Sequence, residues 1–198
     1  ETDPVEQVAT LEGYQRDPAL VINFYNERRK QLLKVKPNRG HELLAELEKN
    51  FHVTVVTQNI DNLHERAGSS RIVHLHGELT KVCSSRDPHN PHYIKELKPE
   101  EYEVKMGDKA GDGTQLRPFI VWFGEAVPEI ETAIQYVEKA DIFVIIGTSL
   151  NVYPAAGFIN YFEGSKLVII NKAATSADKN ADLVISEPIG EVLGSLKI

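Results

Sequence analysis

The sequence predicts an α/β fold in which a parallel sheet carries helices on both faces. Two observations predict it. Short apolar, β-branched runs alternate with segments of helical period, and strands buried on both faces of a parallel sheet read as such continuous runs. Polar or small residues follow each run directly, which is where ligands meet sheets of this kind.

The elements follow in order. Asp17-Pro18 before Leu20, Val21, Phe24 and Tyr25 reads as a capped helix, since Asp is a favoured N-cap and Pro suits the first helical position. Residues 37–40 read as a turn, and Leu43, Leu44 and Leu47 then recur at helical spacing. Residues 52–57 (HVTVVT) read as a strand, 58–68 as a turn with a short helix, and 71–75 as a second strand. Residues 79–116, with Pro88, Pro91, Pro99 and a glycine-rich end, read as an irregular, partly mobile excursion. Regularity returns with a strand over 119–123, a helix over about 129–139, a strand over 142–146 and a helix over 155–162. Strands over 167–170 and 183–185 and a closing helix near 189–197 complete the pattern.

Composition narrows the function classes. The chain has 198 residues and a net charge of −7, with one Cys and one Met. That length suits one domain, or one with a smaller lobe, and buries roughly 70% of the unfolded surface without staples. A single cysteine excludes an internal disulfide and a zinc site built only from this chain's thiolates. The acidic balance argues against binding nucleic acid or an anionic membrane. The apolar run Ile142–Ile146 falls far short of the ~20 residues of a membrane-spanning helix. With no signal peptide recognised, the expectation is a cytoplasmic globular protein, and without a heptad pattern a monomer. Because the chain opens at Glu1 and its Met is Met106, further residues are expected upstream.

The strand ends carry the candidate chemistry. The first reads Gln58-Asn59-Ile60-Asp61-Asn62-Leu63-His64. Asn and Asp serve as caps and turns, yet Asn59, Asp61 and Asn62 cannot all be one cap; an amide and a carboxylate there can clamp a carboxamide and ribose hydroxyls. The second reads Val73-His74-Leu75-His76-Gly77-Glu78, where strand alternation puts both histidines on one face. Either is a core or surface histidine on a backbone carbonyl, or, for His76 beside Gly77, a general base with a suitable pKa. A metal on this pair lacks a third ligand at recognisable spacing. The third end, Val121-Trp122-Phe123-Gly124-Glu125, is an apolar channel lining or core plus turn. The fourth, Gly147-Thr148-Ser149, and the fifth, Asn171, could face a phosphate and a ribose.

Together the strings TQNIDNLH, HLHGEL, RPFIVWFGE, GTSLNVYPAA and IIN resemble the sirtuins, NAD-dependent protein-lysine deacylases, and most closely their bacterial, desuccinylase-like branch. The likeness covers essentially the whole chain. It implies a single catalytic domain over 1–198: a Rossmann lobe over about 41–78 and 117–198, and a small lobe of two insertions, helical over 1–40 and ribbon-like over 79–116. It implies NAD as co-substrate and removal of succinyl, malonyl or acetyl groups from lysine, giving nicotinamide and O-acyl-ADP-ribose. By the same likeness, His76 is the general base, Asn59 and Asp61 line the nicotinamide pocket, and Gln58 lies near the ribose. Gly147, Thr148, Ser149 and Asn171 hold the adenosine half. The Val121 carbonyl accepts the substrate amide proton. Phe123, Gly124 and Glu125 on one side and Asn151 and Val152 on the other flank the acyl-lysine peptide, which binds as an added strand. Tyr25 and Arg28, three apart on one helix face, read an acidic acyl group, since a guanidinium pairs bidentately with a carboxylate; the alternative is a solvated basic face with Tyr25 half buried.

Two departures from the family shape further expectations. Most sirtuins hold a structural zinc on two cysteine pairs, whereas here Cys83 is followed by Ser84, Ser85 and Arg86, so no zinc is expected. An unorthodox site from Cys83, His89, His92 and an Asp is the weaker reading. The family's first strand, Gly-Ala-Gly turn and Arg-bearing loop have no counterpart in this sequence. Mono-ADP-ribosyl transfer, or non-catalytic binding of NAD or ADP-ribose, stand as competing functions.

Overall fold

The computed structural model describes residues 4–150, 153 and 155–195. Its helices are α1 (Val5–Val8), α2 (Leu11–Arg16), α3 (Pro18–Leu32), α4 (Arg39–Leu47), α5 (Leu63–Ala67), α6 (Ile130–Glu138) and α7 (Ile189–Gly194). Its strands are β1 (Val55–Thr57), β2 (Ile72–His74), β3 (Gly77–Ser84), β4 (Lys95–Glu96), β5 (Leu116–Ile120), β6 (Ile142–Ile146), β7 (Lys166–Ile170) and β8 (Leu183–Ile185). Contacts divide the chain into two units: residues 1–36, 57–62 and 74–128, and residues 37–56, 63–73 and 129–198. Among the described residues no helix is long and apolar enough to cross a membrane.

In the first unit α3 forms as its cap predicts. The Asp17 side chain accepts from the Leu20 N–H at 2.9 Å, and Pro18 fills the first position, where its missing N–H costs nothing. Its buried face carries Val21, Ile22, Tyr25 and Leu32, but also Asn26 and Arg29. Asn26 closes a two-way hydrogen bond with the Val104 backbone, at 2.8 and 3.0 Å. The stretch expected to be irregular instead contributes an antiparallel sheet in the order β4-β3-β5, with Val82 opposite Pro118 and Ser84 opposite Leu116. Its charges mislead because β3 buries Leu79, Val82 and Cys83 while Lys81 stays partly exposed. Strand β5 ends at Ile120, earlier than expected, because Val121–Glu125 close into a turn.

In the second unit Asn38 and His41 form a capping box that starts α4, so Gly40 lies inside the helix rather than in a turn. Gly40 packs against α7: a Cβ there would meet Ile189 Cγ2 at 2.9 Å. The sheet β6-β7-β8 is parallel, with Ile146 beside Ile170 and Ile170 beside Ile185. Ile145, Leu167, Ile169 and Ala177 form its core cluster, with Phe143, Ile159 and Phe162 against it. Residues Ala155–Tyr161 form a 3-10 helix rather than an α-helix. The strands predicted over 52–57 and 71–75 shorten to β1 and β2, which run in one direction, since Val55 N–H donates to Arg71 O and Leu75 N–H to Thr57 O. The architecture thus comprises a parallel sheet with helices and, separately, a small antiparallel sheet.

Candidate active site

In the first unit the loop after β1 is laced to the segment after β2. Thr57 O accepts from Leu75 N–H at 3.0 Å, Ile60 O from Leu79 N–H at 2.7 Å, and the Thr57 hydroxyl from Asn59 N–H at 3.1 Å. Between these ties His76 Nδ1 lies 3.2 Å from Gln58 O, and His74 Nδ1 lies 3.3 Å from Asn59 O. A carbonyl oxygen only accepts, so the proton sits on His76 Nδ1 and Nε2 is left as the acceptor. Burial pulls the His76 pKa below its ordinary value, against the opposing effect of the Gln58 hydrogen bond.

His76 stands in the turn between β2 and β3, not on the strand with His74 as alternation suggested. Gly77 makes that turn possible. Its φ is +80°, and a Cβ would come within 2.1 Å of Phe119 O, so β5 packs directly on the backbone. The His76 carbonyl then accepts from Val121 N–H at 3.0 Å, which seats Val121 beside the imidazole-bearing turn. Gln58, Asn59 and Asp61 share this corner of the unit, Asn59 exposed and the others half-buried.

The Val121–Glu125 turn is held from within. Arg117, 2% exposed inside an apolar strand, lays its guanidinium on the Trp122 ring, 3.6 Å from the centroid. Its Nη atoms pair bidentately with Glu125 at 2.7 and 2.9 Å, and Glu125 also accepts from Trp122 N–H at 2.8 Å. Burial alone would raise the Glu125 carboxyl, but these bonds outweigh it and hold it below the usual range. Phe123 N–H donates to Ala9 O and Glu125 N–H to Trp122 O, so both donors are engaged within the chain. The segment therefore offers a strand partner less backbone than the sequence suggested. Among the described residues the Val121 carbonyl accepts no backbone hydrogen bond, and Phe123 presents an exposed ring.

Tyr25 and Arg28 differ in environment. Tyr25 is buried and its hydroxyl accepts from Trp122 Nε1 at 3.0 Å, whereas Arg28 is exposed and lies over the Phe24 ring at 4.9 Å. Sequence reasoning passed over Arg117 and its hold on Trp122. A lone arginine within LRPFIVWF followed by a single acid was the available signal.

In the second unit Gly147 and Asn171 close adjacent parallel strands, and Gly147 N–H donates to Ile170 O at 3.0 Å. Gly147 has φ +64° with open space where a Cβ would stand, and Leu150 takes the left-handed φ of 55°. Thr148 Oγ1 accepts from Leu150 N–H, Ser149 is exposed, and the Asn171 amide donates to Ala173 O at 2.8 Å. Asn151 and Val152 lie outside the described residues.

The residues at the zinc position do not fit the metal. The Cys83 thiol is buried, donates to Pro118 O at 3.7 Å and is pushed up to about 12 by burial. No three-ligand grouping that includes Cys83, His89 or His92 forms among the described residues. Next to Cys83, Ser84 anchors a hydrogen-bonded knot. The Ser84 hydroxyl accepts from Arg86 and Asp87 N–H, each at 3.0 Å, and donates to Asp112 at 2.6 Å, while Asp112 accepts twice from Thr114.

The fold and this corner define an α/β protein whose strand ends carry an amide, a carboxylate and a poised imidazole. The Sir2 family profile matches residues 2–154, and the chain belongs to that family. It is 87% identical over 169 residues to an NAD-dependent protein deacylase of Bacteroides thetaiotaomicron, covering 85% of this chain and 72% of that one. Its structure is similar to a Sir2 homologue solved with NAD, at a TM-score of 0.84 and 34% identity, covering 95% of this chain and 74% of the other. It is also similar to a Sir2 protein solved with an inhibitor, 2′-O-acetyl-ADP-ribose and a deacetylated p53 peptide, at a TM-score of 0.79 and 32% identity, covering 96% and 83%.

Proposed function

We propose that the chain is an NAD-dependent protein-lysine deacylase with His76 as its general base. The observation that carries the reading is the fixed tautomer: Nδ1 is held by Gln58 O, which leaves Nε2 to take a proton. NAD supplies the ADP-ribosyl group that receives the acyl unit, with nicotinamide as the leaving group. Asn59 and Asp61 offer a carboxamide clamp at the end of β1, with Gln58 toward the ribose. Gly147, Thr148, Ser149 and Asn171 make the adenosine-side contacts at the ends of β6 and β7. The open Val121 carbonyl accepts the amide N–H of the acyl-lysine, whose peptide lies along Phe123, Gly124 and Glu125 and along Asn151 and Val152. Tyr25 and Arg28 receive a succinyl or malonyl carboxylate. The domain is single, its Rossmann part over about 41–78 and 117–198 and its smaller part over 1–40 and 79–116. The protein works as a cytoplasmic monomer.

Mass spectrometry of a succinyl-lysine peptide incubated with NAD tests this reading. Free lysine peptide with O-succinyl-ADP-ribose is the expected outcome; ADP-ribose attached to protein, or unreacted peptide, would overturn it. A positioned base contributes ~10² to 10⁴ in rate, so His76→Ala is expected to lose single-turnover deacylation on that scale.

A further inference from the structure

We propose that Trp122 is a positioning residue for acyl-group selection: its indole N–H holds the Tyr25 hydroxyl so that the phenol donates outward to an acidic acyl group. This rests on the reading that Tyr25 and Arg28 receive that group.

The polarity of the Trp122–Tyr25 contact has one solution. An indole Nε1 only donates, whereas a phenol both donates and accepts. At 3.0 Å the indole therefore gives its hydrogen to Tyr25 Oη, and the phenol's own hydrogen must point elsewhere. Among the described residues the Tyr25 hydroxyl makes no second hydrogen bond. Tyr25 is only 4% exposed, and buried polar groups in folded proteins find partners. A donor left over in such a place suits a ligand's acceptor. Burial pushes the phenol above its ordinary pKa, outweighing the hydrogen bond from Trp122 and the pull of Arg117 and Arg28, so it keeps its proton at neutral pH.

The indole cannot turn away. Arg117 lies on its face, the Tyr14 ring packs at 5.1 Å, and its backbone N–H is held by Glu125. Arg117 is itself fixed by Glu125 and by the carbonyls of Pro118 and Ile120 at 3.3 and 2.7 Å. Orientation thus passes from the Arg117–Glu125 pair through Trp122 to a hydroxyl on α3. Arg28, one turn further along α3, supplies the charge.

Trp122→Phe keeps a ring between Arg117 and Tyr14 and removes the N–H. The expected result in the intact protein is a desuccinylation kcat/KM lower by roughly fivefold to tenfold, carried by KM, with deacetylation changed by less than about twofold. In a Tyr25→Phe background the same change should add little, because its effect runs through the phenol. Equal losses on both acyl groups, or additive effects, would overturn the proposal. A second readout needs no turnover. Trp122 is the chain's one tryptophan, so a single indole ¹H–¹⁵N cross-peak reports it. In the wild type a succinyl-lysine peptide should move that peak further than an acetyl-lysine peptide does, and the difference between the two should vanish in Tyr25→Phe; identical wild-type responses to both peptides refute the assignment. If Tyr25→Phe and Arg28→Met leave the succinyl-to-acetyl ratio unchanged, the acidic-acyl reading itself fails. If they lower the ratio and Trp122→Phe does not, only the role of Trp122 fails.

Discussion

The proposed general base, His76, takes its orientation from a carbonyl in another part of the chain. The Gln58 oxygen fixes the proton on Nδ1, and burial disfavours the imidazolium. With the pKa below its ordinary ~6.5, the base form persists to lower pH, so the acid limb of kcat/KM is expected below about 6.5 in a pH–rate profile. The stability sign agrees. The unfolded state binds this proton more readily than the native state, so the contribution is complete above about 6.5 and declines as pH falls. Arg28→Met is expected to lower desuccinylation more than deacetylation, read as the ratio of the two kcat/KM values. The His-Gly pair at a strand end was legible in the sequence. The turn that carries it was not, nor was its Gln58 partner, because both depend on how β5 packs against Gly77.

The Ser84 knot joins two stretches of backbone that share no sequence signal. Ser84 is fully buried and its one hydroxyl serves two backbone donors and a carboxylate. Ser84→Ala should cost about 1 kcal/mol of unfolding free energy in a denaturant titration, since the part-buried Arg86 and Asp87 N–H groups lose their acceptor. Hydrogen bonds from Ser84 and Thr114 hold the Asp112 carboxyl down at about 2. Its stabilising effect is full above the unfolded value near 3.8 and fades as pH falls through about 2, so Asp112→Asn should flatten the acid side of the stability profile. Helices were legible where caps announced them, as at Asp17. Strand β3 was not, because its alternating burial hides among charges and the sequence around it is rich in proline. The start of β5 and the turn after it depend on Arg117 finding Glu125, a pairing that side-chain types alone leave open.

Across the whole molecule the parallel-sheet architecture could be read because its strands are short apolar runs, and β6 spans the predicted 142–146. Burial within the run was less legible: Phe143 and Ile145 turn toward the core cluster while Ile142 and Val144 are exposed. Stability should not depend on a metal. Overnight dialysis against a chelator is expected to leave the melting temperature unchanged, and elemental analysis of untreated protein should find zinc well below one equivalent. It should depend on the buried Arg117–Glu125 pair instead. Glu125→Ala leaves a guanidinium uncompensated and should lower stability by about 3–5 kcal/mol in chemical denaturation. A lobe tied by hydroxyls and a carboxylate also has no thiolate tie for an oxidant to break. Peroxide attacks thiolates, and the chain's single sulfhydryl is protonated and buried, while Met106 sits out on the surface. Oxidative stress that dismantles a zinc–thiolate cluster would leave this lobe folded.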